Sequence, residues 1–366
     1  MVSNILRWSA KGLFALLLLV ILLITSFRLA ASIRETGTRA ELAPRTGHLV
    51  PTGSGGVFVQ EKGPADGIPV VLFHGTAAWS ELWRRTSDAL AAAGFHVIAL
   101  DLPPFGFSDR PGSYTRRDQA ARINDVLGAL KVAPAIIVGH SFGAGAATEL
   151  VMRYPDRARA LVLVDAALGL MAAPSDAPWV IQPKWIREIL VSLTITNPVA
   201  TTTLLKSMIA KKERALPEYV AILQRPTTQR DTTSDIADWL HYFLGSDRDA
   251  ASADRNAYAK LKVPTAILWG DKDTLTPVEQ ALDLRAPAAA GDGTDVAAGP
   301  RSHSADRRPR YVQRCPAHGA RNTLDSAQIR DRPETSWILS DYAPGATPPC
   351  SACDPDRIHP GLHRRQ

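Results

Sequence analysis

The chain has 366 residues, of which 45% are hydrophobic, a length and composition typical of one large α/β domain with insertions. Its formal net charge of +6 is mild. Because no cluster of Lys and Arg is interleaved with aromatic residues, nucleic-acid binding is not expected.

The first thirty residues differ from the rest of the chain. An uncharged, mostly apolar run extends from Gly12 to Phe27, between Lys11 and Arg28. This run is shorter than the ~20 residues that span a bilayer, but the flanking basic side chains can reach the interface and extend it. A cleaved signal peptide needs a small-residue site, which the segment around Ala30 matches poorly, and its apolar region is shorter. We therefore predict an uncleaved transmembrane anchor over residues 1–30, with a cleaved signal peptide as the alternative.

The predicted anchor makes the chain a single-pass membrane protein. Basic residues flank the apolar run on both sides, with Arg7 before it and Arg34 after it. The positive-inside rule therefore gives no orientation for the remaining domain. Residues 31–46 are predicted to be a polar linker.

Strands alternate with helices over residues 47–168, the first part of the predicted core. A short hairpin comes first, because two β-prone segments flank the turn residues 51–55. Further buried strands and amphipathic helices are predicted over residues 69–73, 79–93, 96–101, 115–130, 135–140, 141–154 and 158–164. Such alternation is typical of a mostly parallel sheet covered by helices on both faces.

The alternation stops over residues 169–249. Helical segments separated by prolines, with several aromatic side chains, occupy this block. Buried-strand character returns at residues 265–269, within a second core segment predicted over residues 250–285. The helical block therefore interrupts the α/β domain, as a lid does.

The stretch from Ala135 to Gly145 carries the strongest functional signal. A β-branched run meets Gly139-His140-Ser141-Phe142-Gly143 and passes directly into a helical pattern, which is the context of a nucleophile elbow. Side chains at Gly139 and Gly143 would collide with the neighbouring strand and helix. The amino terminus of the helix behind Ser141 offers free N–H groups to an oxyanion.

With these residues assembled, residues 47–285 resemble a lidded α/β-hydrolase of the esterase, lactonase and carbon–carbon hydrolase type. The motifs occur in the family's order: His74-Gly75-Thr76, Asp101-Leu102-Pro103-Pro104-Phe105-Gly106-Phe107-Ser108-Asp109, Gly139-His140-Ser141-Phe142-Gly143 and Trp269-Gly270-Asp271-Lys272-Asp273. The resemblance implies an α/β-hydrolase fold with a helical lid and a small-molecule acyl substrate. It implies neither a metal nor a cofactor.

The resemblance also implies roles for individual residues. Ser141 is the nucleophile, the backbone N–H groups of Thr76 and Phe142 form the oxyanion hole, and Asp273 orients a histidine. A serine hydroxyl needs a base within hydrogen-bond reach, and the base needs a carboxylate that selects its tautomer. A serine rather than an aspartate at the elbow argues against the dehalogenase and epoxide-hydrolase branches.

Other acidic and histidine residues in these motifs have different interpretations. Asp165 is the second candidate for the acid, because some family members place the acid after the preceding strand. Asp271 is interpreted as a turn residue and Asp109 as stabilising its own loop. His74 and His140 flank tight turns and are expected to be structural hydrogen-bonding groups, because the family's base follows the acid.

Residues 286–366 depart from the family's pattern. They contain 11 Arg and 10 Pro but no Lys, Met or Phe, and such a composition predicts a disordered tail. The family expects here a buried strand, a Gly-His-x-Pro loop and an apolar helix. Codons compatible with residues 301–318, read one nucleotide later, permit Gly-His-Ile-Pro-Gln-Ile-Glu-Asp-Pro followed by an apolar segment. We therefore hypothesise a frameshift near codon 286, which would leave the last strand missing and the sheet edge exposed.

The tail leaves the histidine base open. His303 lies near the spacing that the family uses after the acid and is the formal candidate, while the other histidines of the tail are His318, His359 and His363. The alternative is that His303 is simply a histidine of a disordered tail.

These observations predict a membrane-anchored serine hydrolase that cleaves an ester, lactone or related acyl bond through an acyl-enzyme on Ser141. One alternative is a catalytically inactive α/β-hydrolase fold that has lost its triad histidine. The other is a cofactor-free haloperoxidase-like enzyme, which uses the same triad.

Overall fold

The computed structural model describes residues 2–170, 175–209, 211–270, 273, 275–276, 280–281, 284 and 310–313. Its strands are β1 (Gly47–Val50), β2 (Val57–Lys62), β3 (Pro69–Phe73), β4 (His96–Leu100), β5 (Ala135–His140), β6 (Ala158–Val164), β7 (Thr265–Trp269) and β8 (Arg310–Gln313). Its α-helices are α1 (Val2–Arg34), α2 (Arg39–Leu42), α3 (Arg84–Ala92), α4 (Arg116–Ala129), α5 (Phe142–Arg153), α6 (Lys184–Leu193), α7 (Pro198–Met208), α8 (Pro217–Gln224) and α9 (Thr232–Leu244).

The eight strands form one sheet in the order β1-β2-β4-β3-β5-β6-β7-β8. Strands β4, β3, β5, β6 and β7 are parallel to one another, whereas β1, β2 and β8 run antiparallel to their neighbours. In the central strands nearly every side chain is buried, as expected for a parallel sheet that is covered on both faces. The predicted fold class, a mostly parallel sheet flanked by helices and carrying a helical lid, is confirmed.

Alternate residues of each strand pack into two separate cores. On one face, Val71 and Phe73 of β3 join the apolar side chains of α4 and α5. On the other face, Val70 and Leu72 pack with Leu90 of α3 and its neighbours. The two cores hold the carboxyl ends of β5, β6 and β7 at one edge of the sheet, where the loops of a candidate site meet.

The strand β8 was not expected from the composition of the tail. It pairs with β7 so that Arg310 lies opposite Trp269. Pairing satisfies backbone N–H and C=O groups that an open edge would leave exposed, and it needs no apolar side chains. The structure thus differs from the expected open edge at β7, while the other residues of the predicted tail after residue 286 lie outside the described residues.

Helix α1 is longer than the apolar run that predicted it. Its segment Trp8–Arg34 has 27 residues and contains an 18-residue window with a mean hydropathy of 2.6, none of which is buried. This length and composition are sufficient to cross a bilayer. The last turns of α1 contact α6, and Ala31 is fully buried there. Residues 31–46, predicted to be a linker, therefore contain the docked end of α1 together with α2.

Candidate active site

The backbone of Ser141 is strained at the turn between β5 and α5. Its φ of 50° and ψ of −121° lie where residues other than glycine rarely occur. Its N–H donates to Val164 O at 3.0 Å, and its carbonyl accepts from the N–H groups of Ala144 and Ala167, each at 3.1 Å. These hydrogen bonds tie the turn to the end of β6 and maintain the strained conformation. The side chain of Ser141 is thereby presented at the carboxyl end of β5.

Two glycines leave room for this turn, as the sequence predicted. A Cβ on Gly143 would lie 2.4 Å from His74 O, and one on Gly139 would lie 2.6 Å from the Cα of Ala144. A third glycine, Gly75, was not singled out for its size, although it stands in the His-Gly-Thr motif. A Cβ there would lie 3.1 Å from the Cβ of Ser141, so the loop after β3 lies directly against the elbow.

The two predicted oxyanion-hole residues belong to segments that border Ser141. Phe142 is the first residue of α5, where a helix leaves its N–H groups without an intrahelical partner. Thr76 follows Gly75 in the loop after β3. Within the part of the chain that the structure describes, the N–H groups of Thr76 and Phe142 make no backbone hydrogen bond. Both amides are therefore free to donate to an oxyanion next to the serine.

The two candidate acids lie together on either side of Gly270. A Cβ on Gly270 would be 3.7 Å from Asp165 Oδ1 and 3.9 Å from Asp273 Cβ. Asp165 follows β6, and its Oδ1 accepts from Gly270 N at 2.7 Å. Burial raises the pKa of Asp165, the hydrogen bond from Gly270 opposes this, and the nearby Asp273 raises the pKa further. The structure therefore brings both acids to the same place, and proximity alone does not separate their roles.

Asp273 stabilises its own loop with both carboxylate oxygens. Its Oδ1 accepts from Leu275 N at 2.8 Å and Thr276 N at 2.9 Å, and its Oδ2 accepts from the Thr276 hydroxyl. That hydroxyl also lies 3.2 Å from Asp165 O. The carboxylate is thereby held in one orientation at the end of β7, as a group that orients a base must be.

His74 is a structural residue in this geometry. Its Nδ1 lies 2.8 Å from Gly75 O, and its Nε2 accepts from Leu102 N at 2.8 Å. Both ring nitrogens are thus engaged by the backbone. Burial lowers the pKa of His74 to about 4, so the ring is neutral near pH 7 and cannot reach Ser141 as a base without losing these hydrogen bonds.

His140 packs against Trp83, with ring centroids 6.1 Å apart. Burial lowers its pKa, and the carboxylates of Asp165 and Asp273 act in the opposite direction. His303, the predicted base, lies outside the described residues, as do His318, His359, His363 and Asp271. Within the described chain, the Ser141 hydroxyl makes no side-chain hydrogen bond. The described site thus contains the predicted nucleophile, two unpaired amides and the two candidate acids.

Aromatic side chains of the lid cover the elbow. Phe142 makes edge contacts with Phe105 at 6.0 Å, Trp239 at 5.4 Å and Phe243 at 6.3 Å between ring centroids. Trp239 is 1% exposed, and it stacks on Phe243 at 4.6 Å. Among the lid aromatics, Trp239 is a core residue, whereas Trp179 and Trp185 are exposed. Through Phe142, this aromatic cluster also ties the lid to a predicted oxyanion-hole residue.

Asp109 ties its loop to two neighbours, as expected. Its carboxylate accepts from Gly56 N at 2.6 Å in the β1–β2 hairpin and pairs with Arg39 of α2. Among the described residues, no group of three or more His, Cys, Asp or Glu is arranged to hold a metal ion.

A serine on a strained turn between the central strand of a mostly parallel sheet and a helix, beneath a helical lid, defines the α/β class of hydrolases. Residues 68–288 match the model of the α/β hydrolase fold family. The match spans more than half of the chain, which therefore belongs to this family. It ends close to residue 286, where the composition of the chain changes.

Known relatives agree with this assignment. A 2-hydroxymuconate semialdehyde hydrolase of Pseudomonas sp. strain CF600 is 39% identical over 231 residues, which are 60% of this chain and 75% of the relative. A meta-cleavage product hydrolase of Pseudomonas fluorescens IP01 is similar in structure, with a TM-score of 0.52 and 23% identity over 66% of this chain and 85% of its own. A serine hydrolase of Cycloclasticus zankles has a TM-score of 0.53 and 18% identity, covering 65% of this chain and 85% of its own. The two structures support the fold alone, and the family match identifies an enzyme of the α/β-hydrolase class.

Proposed function

We propose that this protein is a serine hydrolase, attached to a membrane by α1, that cleaves an ester, lactone or related acyl bond. The strained backbone of Ser141 between β5 and α5, next to two unpaired amides, is the observation that carries the proposal. A backbone in this conformation is costly and is typical of a nucleophile that must be exposed at the edge of the sheet.

In the proposed reaction, Ser141 Oγ forms a bond to the acyl carbon while its proton passes to a histidine. The N–H groups of Thr76 and Phe142 donate to the oxyanion of the tetrahedral intermediate. The histidine then returns the proton to the leaving group as the acyl–leaving group bond breaks, and water activated by the same histidine releases the acyl chain. Asp273 orients the histidine, for which His303 is the candidate by its position after the acid.

The second candidate is an inactive hydrolase fold. It is favoured by one observation, that the tail bearing every candidate for the catalytic histidine departs from the family's pattern. A serine without a base keeps part of the oxyanion stabilisation but loses the activated nucleophile. The two candidates predict opposite results with an active-site-directed reagent.

The test is covalent labelling of the purified full chain by a fluorophosphonate probe, together with hydrolysis of a short-chain p-nitrophenyl ester. We expect labelling and hydrolysis in the natural chain and loss of both in Ser141→Ala. A folded chain that is neither labelled nor active would support the inactive fold instead.

Membrane attachment has its own test. The apolar segment Trp8–Arg34 supports an anchor, whereas a signal peptide of the same composition would be removed. We expect the full-length chain to stay in the membrane fraction after alkaline carbonate extraction, with an intact amino terminus by mass spectrometry. Release of a shortened chain into the soluble fraction would favour the signal peptide.

A further inference from the structure

The end of α1 is docked on the lid through specific contacts. Arg28 Nε lies 3.2 Å from Glu188 Oε2 of α6, and Arg34 Nη2 donates to Thr196 O at 3.1 Å, just beyond the end of α6. Glu35 is buried and accepts from Thr233 N at 3.1 Å. The apolar turns of α1 before Ile24 are exposed. The lid is therefore attached directly to the helix that is long enough to cross a bilayer.

These contacts fix the direction of the lid relative to α1. Arg28 pairs with Glu188 and Arg34 with Thr196, so α6 runs in the same direction as α1. The start of α6 must then point back towards the apolar segment of α1. Trp185 precedes Glu188 by one helical turn, which is about 5 Å along the axis.

Helix α9 runs in the opposite direction, so its carboxyl end reaches the same side. Thr233, near its start, bonds Glu35 at the end of α1. Five residues later, Asp238 accepts from Lys184 at the start of α6, at 2.7 Å. The last residues of α9 therefore extend past the start of α6, further towards the apolar segment of α1.

This end of the lid carries exposed apolar side chains. We call them the lid-tip patch: Trp179, Val180, Trp185, Phe243 and Leu244, with exposed fractions of 85%, 48%, 63%, 43% and 41%. Trp179 and Val180 form the turn before α6, where Ile181 O accepts from the Arg187 guanidinium at 2.8 Å. Exposed apolar groups gathered at one place mark a docking surface, and tryptophan is enriched at membrane–water interfaces.

The apolar segment of α1 indicates how deep the lid-tip patch lies in the membrane. The uncharged apolar run of α1 ends at Phe27, so the helix leaves the hydrocarbon core near Arg28, whose charge belongs in the headgroup region. The contact of Arg28 with Glu188 then puts Glu188 at the membrane surface and Trp185 about 5 Å below it. Interfacial apolar faces are buried to about 5–10 Å.

From this geometry we propose that the lid-tip patch is seated in the lipid bilayer that α1 crosses, at the boundary between headgroups and acyl chains. The inference depends on the membrane attachment proposed above and adds that the lid itself enters the membrane. Phe243 belongs both to the patch and to the aromatic cluster over the elbow, where it contacts Phe142. The bilayer thereby contacts the aromatic cluster that lies over Ser141. An acyl substrate dissolved in the membrane is then close to the proposed catalytic serine.

The test uses the full chain with Cys315, Cys350 and Cys353 replaced by Ser and one new cysteine that carries the fluorophore NBD. The positions are Val180→Cys in the patch, Leu18→Cys in α1 and Asp156→Cys as the matched exposed control. Asp156 lies at the amino end of β6, opposite the lid. Each protein is reconstituted in phosphatidylcholine vesicles with and without brominated acyl chains.

We expect blue-shifted emission, and about twofold quenching by the brominated lipid, at positions 180 and 18 but not at position 156. Quenching at position 18 with a solvent-like signal at position 180 would overturn the lid-tip inference and leave the anchor intact. A solvent-like signal at position 18 would overturn the membrane attachment itself and with it the inference. A blue shift at position 180 that the brominated lipid does not quench, with disulfide cross-linking of two unlabelled Val180→Cys chains, would assign the patch to a second copy instead.

Discussion

Two carboxylates at the carboxyl ends of the strands, Asp165 and Asp273, are candidates for the acid that orients the histidine base. Asp165 accepts one hydrogen bond, from Gly270 N, whereas Asp273 accepts three hydrogen bonds from donors of its own loop. Both carboxylates act on the pKa of His140. The family's position for the acid favours Asp273, and the structure keeps Asp165 close enough to substitute for it.

We expect Asp273→Asn to slow fluorophosphonate labelling of Ser141 by up to about 10⁴-fold, because an amide stabilises the wrong tautomer of the base. Asp165→Asn is the matched control and should cost less than about tenfold, since its main bond is to the backbone. The measurement is the rate of labelling of the full chain. A larger loss in Asp165→Asn would transfer the role to Asp165.

His74 and Asp101 are both buried, and their pKa shifts have opposite effects on the pH dependence of stability. Burial lowers the pKa of His74 to about 4 and raises the pKa of Asp101 to about 6. The lowered pKa of His74 removes stability as the pH falls from 6.5 to about 4. The raised pKa of Asp101 removes stability as the pH rises from about 4 to about 6. Each effect is about 3 kcal/mol at most, so they nearly cancel in the natural chain.

Single substitutions should separate the pH dependence of stability that arises from Asp101 from the one that arises from His74. We expect the destabilisation by Asp101→Asn to be larger at pH 4 than at pH 7, by about 3 kcal/mol. For His74→Gln the difference should have the opposite sign, with a smaller destabilisation at pH 4. Urea unfolding of the full chain in detergent micelles, at a series of pH values, measures both. Equal pH slopes in the two variants would contradict the assigned pKa shifts.

At the scale of single elements, close backbone packing decides the geometry of the elbow. Helix α5 approaches β3 so closely that a Cβ on Gly143 would meet His74 O and the Cβ of Phe73. Backbone atoms cannot move aside as a flexible side chain can. We expect Gly143→Ala to cost about 1–3 kcal/mol of unfolding free energy.

Gly128 supplies the control for that substitution. It lies in α4 and is exposed, and a Cβ there would meet only the end of the Arg157 side chain at 3.3 Å. Gly128→Ala should be neutral or stabilise the protein by up to about 1 kcal/mol, because alanine favours a helix. A similar cost at both positions would show that the elbow tolerates a side chain.

The lid depends on its buried aromatic cluster. Trp239 contacts Phe105, Phe142 and Phe243, and we expect Trp239→Ala to cost about 3–5 kcal/mol by leaving a cavity. Trp185→Ala removes the same side chain from an exposed position of α6 and should change the stability in detergent by less than about 0.5 kcal/mol. Chemical unfolding followed by fluorescence compares them, and equal costs would contradict the packing.

At the scale of the whole molecule, the tail decides whether the site is complete. The family match ends at residue 288, and the tail's codons permit the family's Gly-His-x-Pro motif in the neighbouring frame. Resequencing the region around codon 286 tests the frameshift directly. An intact reading frame would refute it.

Restoring the other frame also has a functional outcome. We expect a gene with one nucleotide removed near codon 286 to encode a chain whose Ser141 reacts with fluorophosphonate at least about 10²-fold faster, because it regains a placed base. Ser141→Ala in the restored chain is the control. Equal labelling rates of the restored chain and the 366-residue chain would mean that residues 286–366 already supply the histidine.

The local patterns of the chain predicted the elements on which function depends. The strand, glycine turn and helix around Ser141, the order of the α/β segments and the apolar run of α1 are read from neighbouring residues, since periodicity and turn chemistry act over short distances. Composition failed to predict β8, because edge pairing uses backbone groups that every residue carries.

Contacts between distant segments came only from the tertiary structure. Gly75 meets Ser141, and Asp165 and Asp273 meet across Gly270, because parallel strands bring their carboxyl ends to one edge of the sheet. Arg28 reaches Glu188 across 160 positions of sequence. The sequence by itself thus determined the fold class and a helix able to cross a membrane, and it predicted Ser141 as the nucleophile. The tertiary structure alone decided that this helix is docked on the lid over Ser141, because packing between elements is set by the shape of the folded core and not by any local pattern.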